Sequence, residues 1–523
     1  MHILMVAAEN GALNGAKVGG IGDVVRDIPM ALADLGCRVS VVLPAYGFLH
    51  HRRMTNEPVT LPVHFGGTAH TAYGHRVQAD QPHDGVTHFV IDHPLFEAFD
   101  AERNAHRIYV DDPPHQPFAA DATKFALFCL TVAQGVRQGL FPDLTHLHLH
   151  DWHAALLLFL RAFHPDYRSL RDLPTVYTIH NLGLQGIRPF QDHASSLHAW
   201  FPGIAYDRSA VADPRWDAVN PMALGIRLAD RVHTVSPTYA EEVLRPSDVP
   251  HFYGGEGLER DLRGARDEGR LYGILNGCAY PEETKRQTEP DFGALWSLLK
   301  ATVLDWSAAT DTLRTVHFTA HARLSALAQA SRPPTILCTS IGRLQPQKMM
   351  LLKEAGTRSG SGLEGVLDRL PEGGLLVVLG SGDGDYERFF MQTGARRGNL
   401  LFLNGYSDAC AAALYTAGDL FLMPSSYEPC GISQMLAMRA GQPCLVHAVG
   451  GLRDTVRHGH NGWHFDGERL PDQVDRMIDA FSGAMEIFST DKAQWRTICR
   501  NAAATRFPWP RSAERYLEEL YAS

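Results

Sequence analysis

The chain is predicted to be an α/β protein made of two successive doubly wound, Rossmann-like domains. Three observations carry that prediction. Short apolar runs of the buried parallel type, such as residues 3–8, 175–179, 374–380 and 418–424, alternate with helix-forming stretches. The runs end in polar or Gly-rich turns that lead straight into helices. The series changes character at residues 279–332, rich first in Pro, Glu and Lys, and restarts at 335. At about 100–200 residues per domain, 523 residues are enough for two or three domains.

The elements follow in order. Residues 3–8 read as the first strand, and Gly19-Gly20-Ile21-Gly22 opens a helix that ends near Leu35 and Gly36. Residues 38–44 are the second strand. The turn lacks the G-x-G-x-x-G spacing and no ribose-binding acid follows the second strand, so a dinucleotide site is rejected. Alternating apolar residues at 59–65 and 86–91 suggest strands and a hairpin insert. Residues 121–139 are helical, 144–150 alternate apolar residues with His, and Asp151-Trp152-His153 opens the next helix. Strands are read at 175–179 and 231–235, where Ser236-Pro237 caps a helix, and at 271–275. A domain boundary is placed after 275, with 279–333 as a divergent linker or peripheral helices. The second series has strands at 335–341, 374–380, 400–404, 418–424, 442–447 and 463–465, with helices at 471–488 and 511–522.

Composition narrows the function. With 45% hydrophobic and 20% charged residues the chain can bury a large core. A net charge of −10 argues against nucleic-acid or anionic-membrane partners. The 27 His form no H-E-x-x-H or Cys/His ligand spacing, so no metal site is expected. The eight Cys lie far apart, mostly in apolar runs, and read as free thiols of a reducing cytoplasm. No run of ~18 apolar residues is present, and the apolar start is too short and lacks the basic region of a signal peptide. A cytoplasmic chain is expected; its oligomeric state is left open.

Chemistry concentrates at the strand tips. Glu428-Pro429-Cys430-Gly431 follows a buried strand and precedes a helix. Its carboxylate can take two sugar hydroxyls, and Gly431 lets backbone approach a ligand. The ordinary alternative is a strand–turn–helix with Glu428 capping the helix. Lys17 beside Gly19 and Gly20 suits a phosphate, or is a solvated charge. Arg343 and Lys348 on one loop could clamp a diphosphate, or are an ordinary surface pair. Asp151 and His180 sit on strand tips of one rim.

In order, Lys17-Val18-Gly19-Gly20-Ile21-Gly22-Asp23-Val24, His150-Asp151-Trp152-His153, Thr178-Ile179-His180-Asn181-Leu182, Gly273-Ile274-Leu275-Asn276-Gly277, Arg343 through Lys348, Glu428-Pro429-Cys430-Gly431 with Gln434, and Gly450-Gly451-Leu452 resemble the blocks of bacterial glycogen synthases and plant starch synthases. The blocks span residues 3 to about 456. The tail, with Phe507-Pro508-Trp509 and Tyr516, is similar to that family's last helix, which crosses back to the first domain. The resemblance implies a GT-B fold: two Rossmann-like domains facing across a cleft, residues 1–275 on the acceptor side, 276–505 binding the nucleotide sugar, and 506–523 returning to the first domain. It implies retaining transfer of glucose from ADP-glucose to an α-1,4-glucan, with no metal and no other cofactor. His180, Arg343, Lys348 and Glu428 would be catalytic. Lys17, Gly19, Gly20, Asn276, Cys430 and Gly431 would meet the donor, and Glu9 and Asp151 would line the acceptor side.

The chain departs from the family pattern at Cys278-Ala279, where an acid usually follows Asn-Gly, at Ala223 in place of a Lys, and around Gln345-Pro346 and Met349. These departures bear on the donor nucleotide and the acceptor. A related transferase using UDP-glucose or a small acceptor, of the maltose-1-phosphate or sucrose-type kind, is the enzyme alternative. A catalytically silent glucan-binding protein is the non-enzyme one.

Overall fold

The structure, a computed structural model, describes residues 1–51, 54, 56–100, 105–280, 290–310, 312 and 314–522. The chain divides into two compact units. The first comprises Met1–Ser247, Gly254–Gly277 and Pro508–Ser523; the second comprises Asp248–Tyr253 and Cys278–Phe507. The first unit therefore runs past the expected boundary at 275 to Gly277, which makes Asn276 one of its residues.

In the first unit the described strands are β1 (His2–Val6), β2 (Arg38–Pro44), β3 (Val59–Phe65), β4 (Thr68–Val77), β5 (Val86–Asp92), β6 (His146–His150), β7 (Thr175–Ile179), β8 (Arg231–Thr234) and β9 (Leu271–Gly273). They form one sheet in the order β9-β8-β7-β6-β1-β2-β5-β4-β3. All neighbours are parallel except β4, which runs antiparallel to both β3 and β5. The hairpin is thus 59–65 with 68–77, turning through Gly66 and Gly67. β5 is not its second arm but a parallel partner of β2.

Both faces of this sheet are covered, which explains why its strands read as continuous apolar runs. Leu4 and Val6 pack under helices Ala119–Arg137 and Asp151–Phe163. Ile3 and Met5 face the other way, toward helix Gly20–Asp34 and helix Trp509–Arg515 in the chain's tail. That tail is tied to its unit by Trp509 Nε1 donating to Asp27 (2.9 Å) and Ser512 Oγ donating to the Leu275 carbonyl (2.7 Å).

In the second unit the strands β10 (Leu337–Ile341), β11 (Leu375–Gly380), β12 (Leu400–Asn404), β13 (Leu420–Met423), β14 (Cys444–His447) and β15 (Gly462–Phe465) form an all-parallel sheet in the order β12-β11-β10-β13-β14-β15. The segment expected as a linker holds two helices, Phe292–Ala308 and Thr315–Gln329. They are not peripheral. Leu295, Trp296, Leu299, Val303, Ala320 and Leu324 bury against strand residues Leu337, Leu375 and Leu401. At about 1.5–3 kcal/mol per fully buried apolar side chain, this face is a main support of the sheet. Residues 281–289, 311 and 313 of the same segment lie outside the described residues.

Candidate active site

In the second sheet the strand order reverses between β10 and β13, and in open α/β sheets ligands bind outside the carboxyl ends of the strands at such a reversal. Lys348 follows β10 and Glu428 follows β13, and their side chains form an ion pair. Ser425 Oγ donates to the same Glu428 oxygen at 3.0 Å. The two loops are also stitched through backbone. Ser426 N–H donates to the Gln347 carbonyl (2.8 Å), and Gln347 Nε2 donates to the Tyr427 carbonyl (3.2 Å). Lys348 is not on a surface loop: it stands in the first turn of helix Pro346–Lys353, which Pro346 opens with its fixed φ. Arg343 is exposed, and its guanidinium has no protein partner among the described residues.

Glu428 does not cap the helix after it. That helix, Ser433–Arg439, starts behind Ile432 with no side-chain cap. The carboxylate instead turns back to Lys348 and Ser425. Gly431 has φ 77°, a left-handed conformation natural to glycine. The loop also rests on Gly450 and Gly451: a Cβ there would stand 2.0 Å from the Glu428 carbonyl oxygen and 2.2 Å from that of Cys430. The Gly450-Gly451 block is therefore required by close backbone contact with residues 428–430. Cys430 is buried beneath the loop.

In the first sheet the order reverses between β1 and β6. Glu9 follows β1 and Asp151 follows β6, so two carboxylates occupy this reversal. Both are buried. Glu9 accepts from the amides of Val18 (2.7 Å) and Gly19 (2.6 Å) with one oxygen, and from Tyr109 OH (2.8 Å) with the other. The Gly19 amide is thus committed to Glu9 rather than open to a phosphate. Lys17 pairs with Asp23 at 2.8 Å. Asp151 has φ 55°, which an Asp tolerates better than most residues, and accepts from His180 N–H at 2.7 Å. Burial pushes its carboxyl up to about 7, against hydrogen bonds from the His180 and Asn181 amides; the Glu9 charge adds to the rise.

Beside them runs a row of buried histidines that composition alone did not reveal. His148 bonds the Tyr521 hydroxyl and Thr178 Oγ1 (2.6 Å), and Thr178 reaches His233 Nδ1 (2.9 Å). His150 Nδ1 meets His180 Nε2 at 2.9 Å. Burial lowers His180 and His233 to about 3 and holds His148 and His150 well below the ordinary value, so all four are neutral near pH 7. His180 therefore acts as a polar, uncharged group at the tip of β7.

The structure brings Glu9, Lys17, Gly19, Gly20, Asp151 and His180 to the rim of the first sheet, and Arg343, Lys348, Glu428, Cys430 and Gly431 to the rim of the second. Asn276 lies past β9, three strands from Asp151's β6, with its Oδ1 buried and without a partner. Sequence reasoning missed Tyr109 and Ser425. Ser425 stands between the apolar run 418–424 and Glu428; nothing local marked Tyr109, 100 residues from its partner. Among the described residues no group of three or more His, Cys, Asp or Glu is placed to hold a metal ion, and no helix is long and apolar enough to cross a membrane.

Comparison with known proteins gives the family. Residues 2–264 match the family described as starch synthase catalytic domain, and residues 366–487 match glycosyl transferases group 1. The chain is similar to a glycogen synthase of Streptococcus equi subsp. equi, 33% identical with all of both chains covered. It is similar to that of Desulfitobacterium hafniense, 31% identical over 97% of each chain. Among solved structures it is similar to the catalytic domain of starch synthase IV from Arabidopsis thaliana, bound to ADP and acarbose, with a TM-score of 0.75, 25% identity, and 99% of this chain and 98% of that one covered.

Proposed function

The chain belongs to the glycogen and starch synthases, glucosyltransferases of the GT-B fold, and from that membership we propose that it moves glucose from ADP-glucose to the 4-hydroxyl at the non-reducing end of an α-1,4-glucan, with retention at the anomeric carbon. The observation that carries the site reading is the Lys348–Glu428 pair at the strand-order reversal of the second sheet. A cation and a carboxylate fixed together suit a ligand that is anionic at one end and a polyol at the other. Lys348 and the unpartnered Arg343 neutralise the leaving diphosphate, where most charge develops in the transition state. Glu428 accepts from sugar hydroxyls. The glucose C1–O bond to phosphate breaks as the C1–O4 bond forms on the same face. The acceptor's hydroxyl proton passes to the departing phosphate, so no side-chain nucleophile is required.

On the first unit, His180, neutral and held by Asp151 and His150, offers a hydrogen bond to the reacting sugar without adding charge. Because Glu9 already holds the Gly19 amide, the donor contacts of that loop rest on Lys17 and Gly20. Glu9 and Asp151 line the acceptor side, and Glu9 also holds the Val18 and Gly19 amides of the donor loop. In this reading the cations supply the charge a metal would otherwise supply, and eight buried cysteines outside any disulfide suit a reducing cytoplasm.

The test is release of nucleoside diphosphate from ADP-glucose and, in parallel, UDP-glucose, each with and without glycogen. Glycogen-dependent ADP release with chain lengthening is the expected result. Turnover with UDP-glucose alone would overturn the donor assignment. No turnover with either, alongside glycogen binding, would overturn the catalytic reading.

A further inference from the structure

Gln434 lies directly under the Glu428 loop and has no exposed surface. Its side-chain Nε2 is 3.2 Å from the Cys430 carbonyl, 2.9 Å from the Gly431 carbonyl and 3.3 Å from Thr455 Oγ1. Carbonyls only accept, and the Thr455 hydroxyl donates to the Gly451 carbonyl at 2.7 Å. The amide of Gln434 is therefore fixed with its NH2 toward the loop. Its Oε1 is left buried without a partner, a cost the fold accepts for this orientation.

The consequence falls on the other side of the peptide planes. In a trans peptide the carbonyl of one residue and the N–H of the next point in opposite directions. Drawing the Cys430 and Gly431 carbonyls down to Gln434 turns the Gly431 and Ile432 amides up, away from the buried side. Neither amide has a hydrogen-bond partner among the described residues. The Glu428 carbonyl is pinned in the same sense by Gly451 N–H at 3.1 Å.

We propose that Gln434 is a positioning residue that aims the Gly431 and Ile432 amides at the hydroxyls of the donor's glucose. This rests on the Glu428 loop being the sugar seat of the proposed reaction. Gln434 touches no substrate; it sets the angle of two donors that do. The ligand class follows from the pairing: Glu428 accepts and the two amides donate, which matches vicinal hydroxyls rather than the diphosphate.

The experiment compares ADP with ADP-glucose, which differ by the sugar alone. Gln434→Met keeps volume and removes the donor and the orphan oxygen together. Isothermal titration and steady-state kinetics on the full chain should show ADP affinity within ~2-fold of the parent, ADP-glucose affinity ~10-fold weaker, and kcat lower by a similar factor. Gln434→Glu, which turns a carboxylate on two carbonyls, should lose more. Thr455→Val removes only the hydroxyl that steadies Gln434 and should shift the sugar-dependent increment ~3-fold in the same direction, a second reading if Gln434→Met folds poorly. Equal weakening of ADP and ADP-glucose would show a collapsed loop and overturn the proposal, as would no change in either. If the parent turns over UDP-glucose instead, the pair becomes UDP and UDP-glucose. No turnover by the parent with either donor overturns the functional reading and this inference with it; turnover with an unchanged sugar increment overturns this inference alone.

Discussion

The two sheets reverse their strand order at equivalent places, yet the groups standing there obey opposite charge logic. The second sheet sets a cation against a carboxylate and leaves a further guanidinium unpartnered. The first sheet places two carboxylates at its reversal, satisfies them with backbone amides and a tyrosine, and backs them with neutral histidines. In the proposed reaction the second rim takes the leaving diphosphate, while the first, Lys17 apart, meets hydroxyls with uncharged or internally satisfied groups. The fold supplies two sockets; in the proposed reaction the side chains at the reversals decide which end each serves.

The most severe way to break this comparison is to remove the charge from the second rim. Lys348→Ala should lower kcat/KM about 10³-fold, on the scale of losing one preorganised stabiliser of developing charge. Glu428→Gln should cost a comparable factor. The double variant should fall far short of the product of the two, because the groups act as one unit. Turnover within twofold of the parent for Lys348→Ala would remove the basis for calling the second rim the diphosphate side.

Acid sharpens the comparison at the next scale. His180 and His233 are held neutral to about pH 3, while in the unfolded chain they take up protons below about 6.5. Their folded pKa is depressed, so the unfolded state binds more protons between those values. Stability is full above 6.5 and is lost as pH falls toward 3, at about 1.4 kcal/mol per pH unit for each histidine. Asp151 runs the other way. Its folded pKa is raised to about 7, so the folded state keeps a proton the unfolded state gives up; that stability is full below about 4 and is lost as pH rises to 7. The two slopes partly offset between pH 4 and 6.5. Asp151→Asn keeps the oxygen that accepts from His180 and tolerates φ 55°. Urea melts of this variant should therefore show a steeper loss on acidification than the parent, by about 1.4 kcal/mol per unit. Hydrogen exchange at pH 5 should open β6, β7 and β8 before the second unit's strands. Identical pH profiles for parent and variant would show that Asp151 carries no stored proton.

How much of this was legible before the structure depends on how far apart the partners lie. Strands such as 38–44, 175–179 and 400–404 were readable because both faces of each sheet are covered, which writes an unbroken apolar run. Helix Lys492–Ala504 was missed, since its buried face is only Trp495, Ile498, Cys499 and Ala502 in a polar stretch. Local pattern gave helices after 290 but not that they roof the second sheet, because that depends on strands far along the chain. At the sites, the residue types were legible and the pairings were not. Lys348 and Glu428 are 80 residues apart, Tyr109 and Glu9 100, and Tyr521 and His148 373. The alternation His146-Leu147-His148-Leu149-His150 announces a strand. Nothing in it says that the His-bearing face lies under the chain's own tail.

The mildest test falls on Lys17, where the two readings of the glycine loop separate. Its side chain is 38% exposed and its partner Asp23 also holds Arg26 at 3.1 Å. Removing the amine leaves Asp23 paired, so Lys17→Ala should change stability by less than about 0.5 kcal/mol. If Lys17 only decorates the surface, donor kinetics will be equally indifferent. If it swings from Asp23 to a donor phosphate, one charge-assisted contact is lost, and the KM for ADP-glucose should rise roughly tenfold with kcat little changed. The parent's advantage should also shrink as salt is raised, because the contact is partly solvated. Asp23→Asn adds the reciprocal check. Freed from its tether, Lys17 should then bind the donor as well as in the parent or better, whereas a purely structural pair would leave both constants where they were.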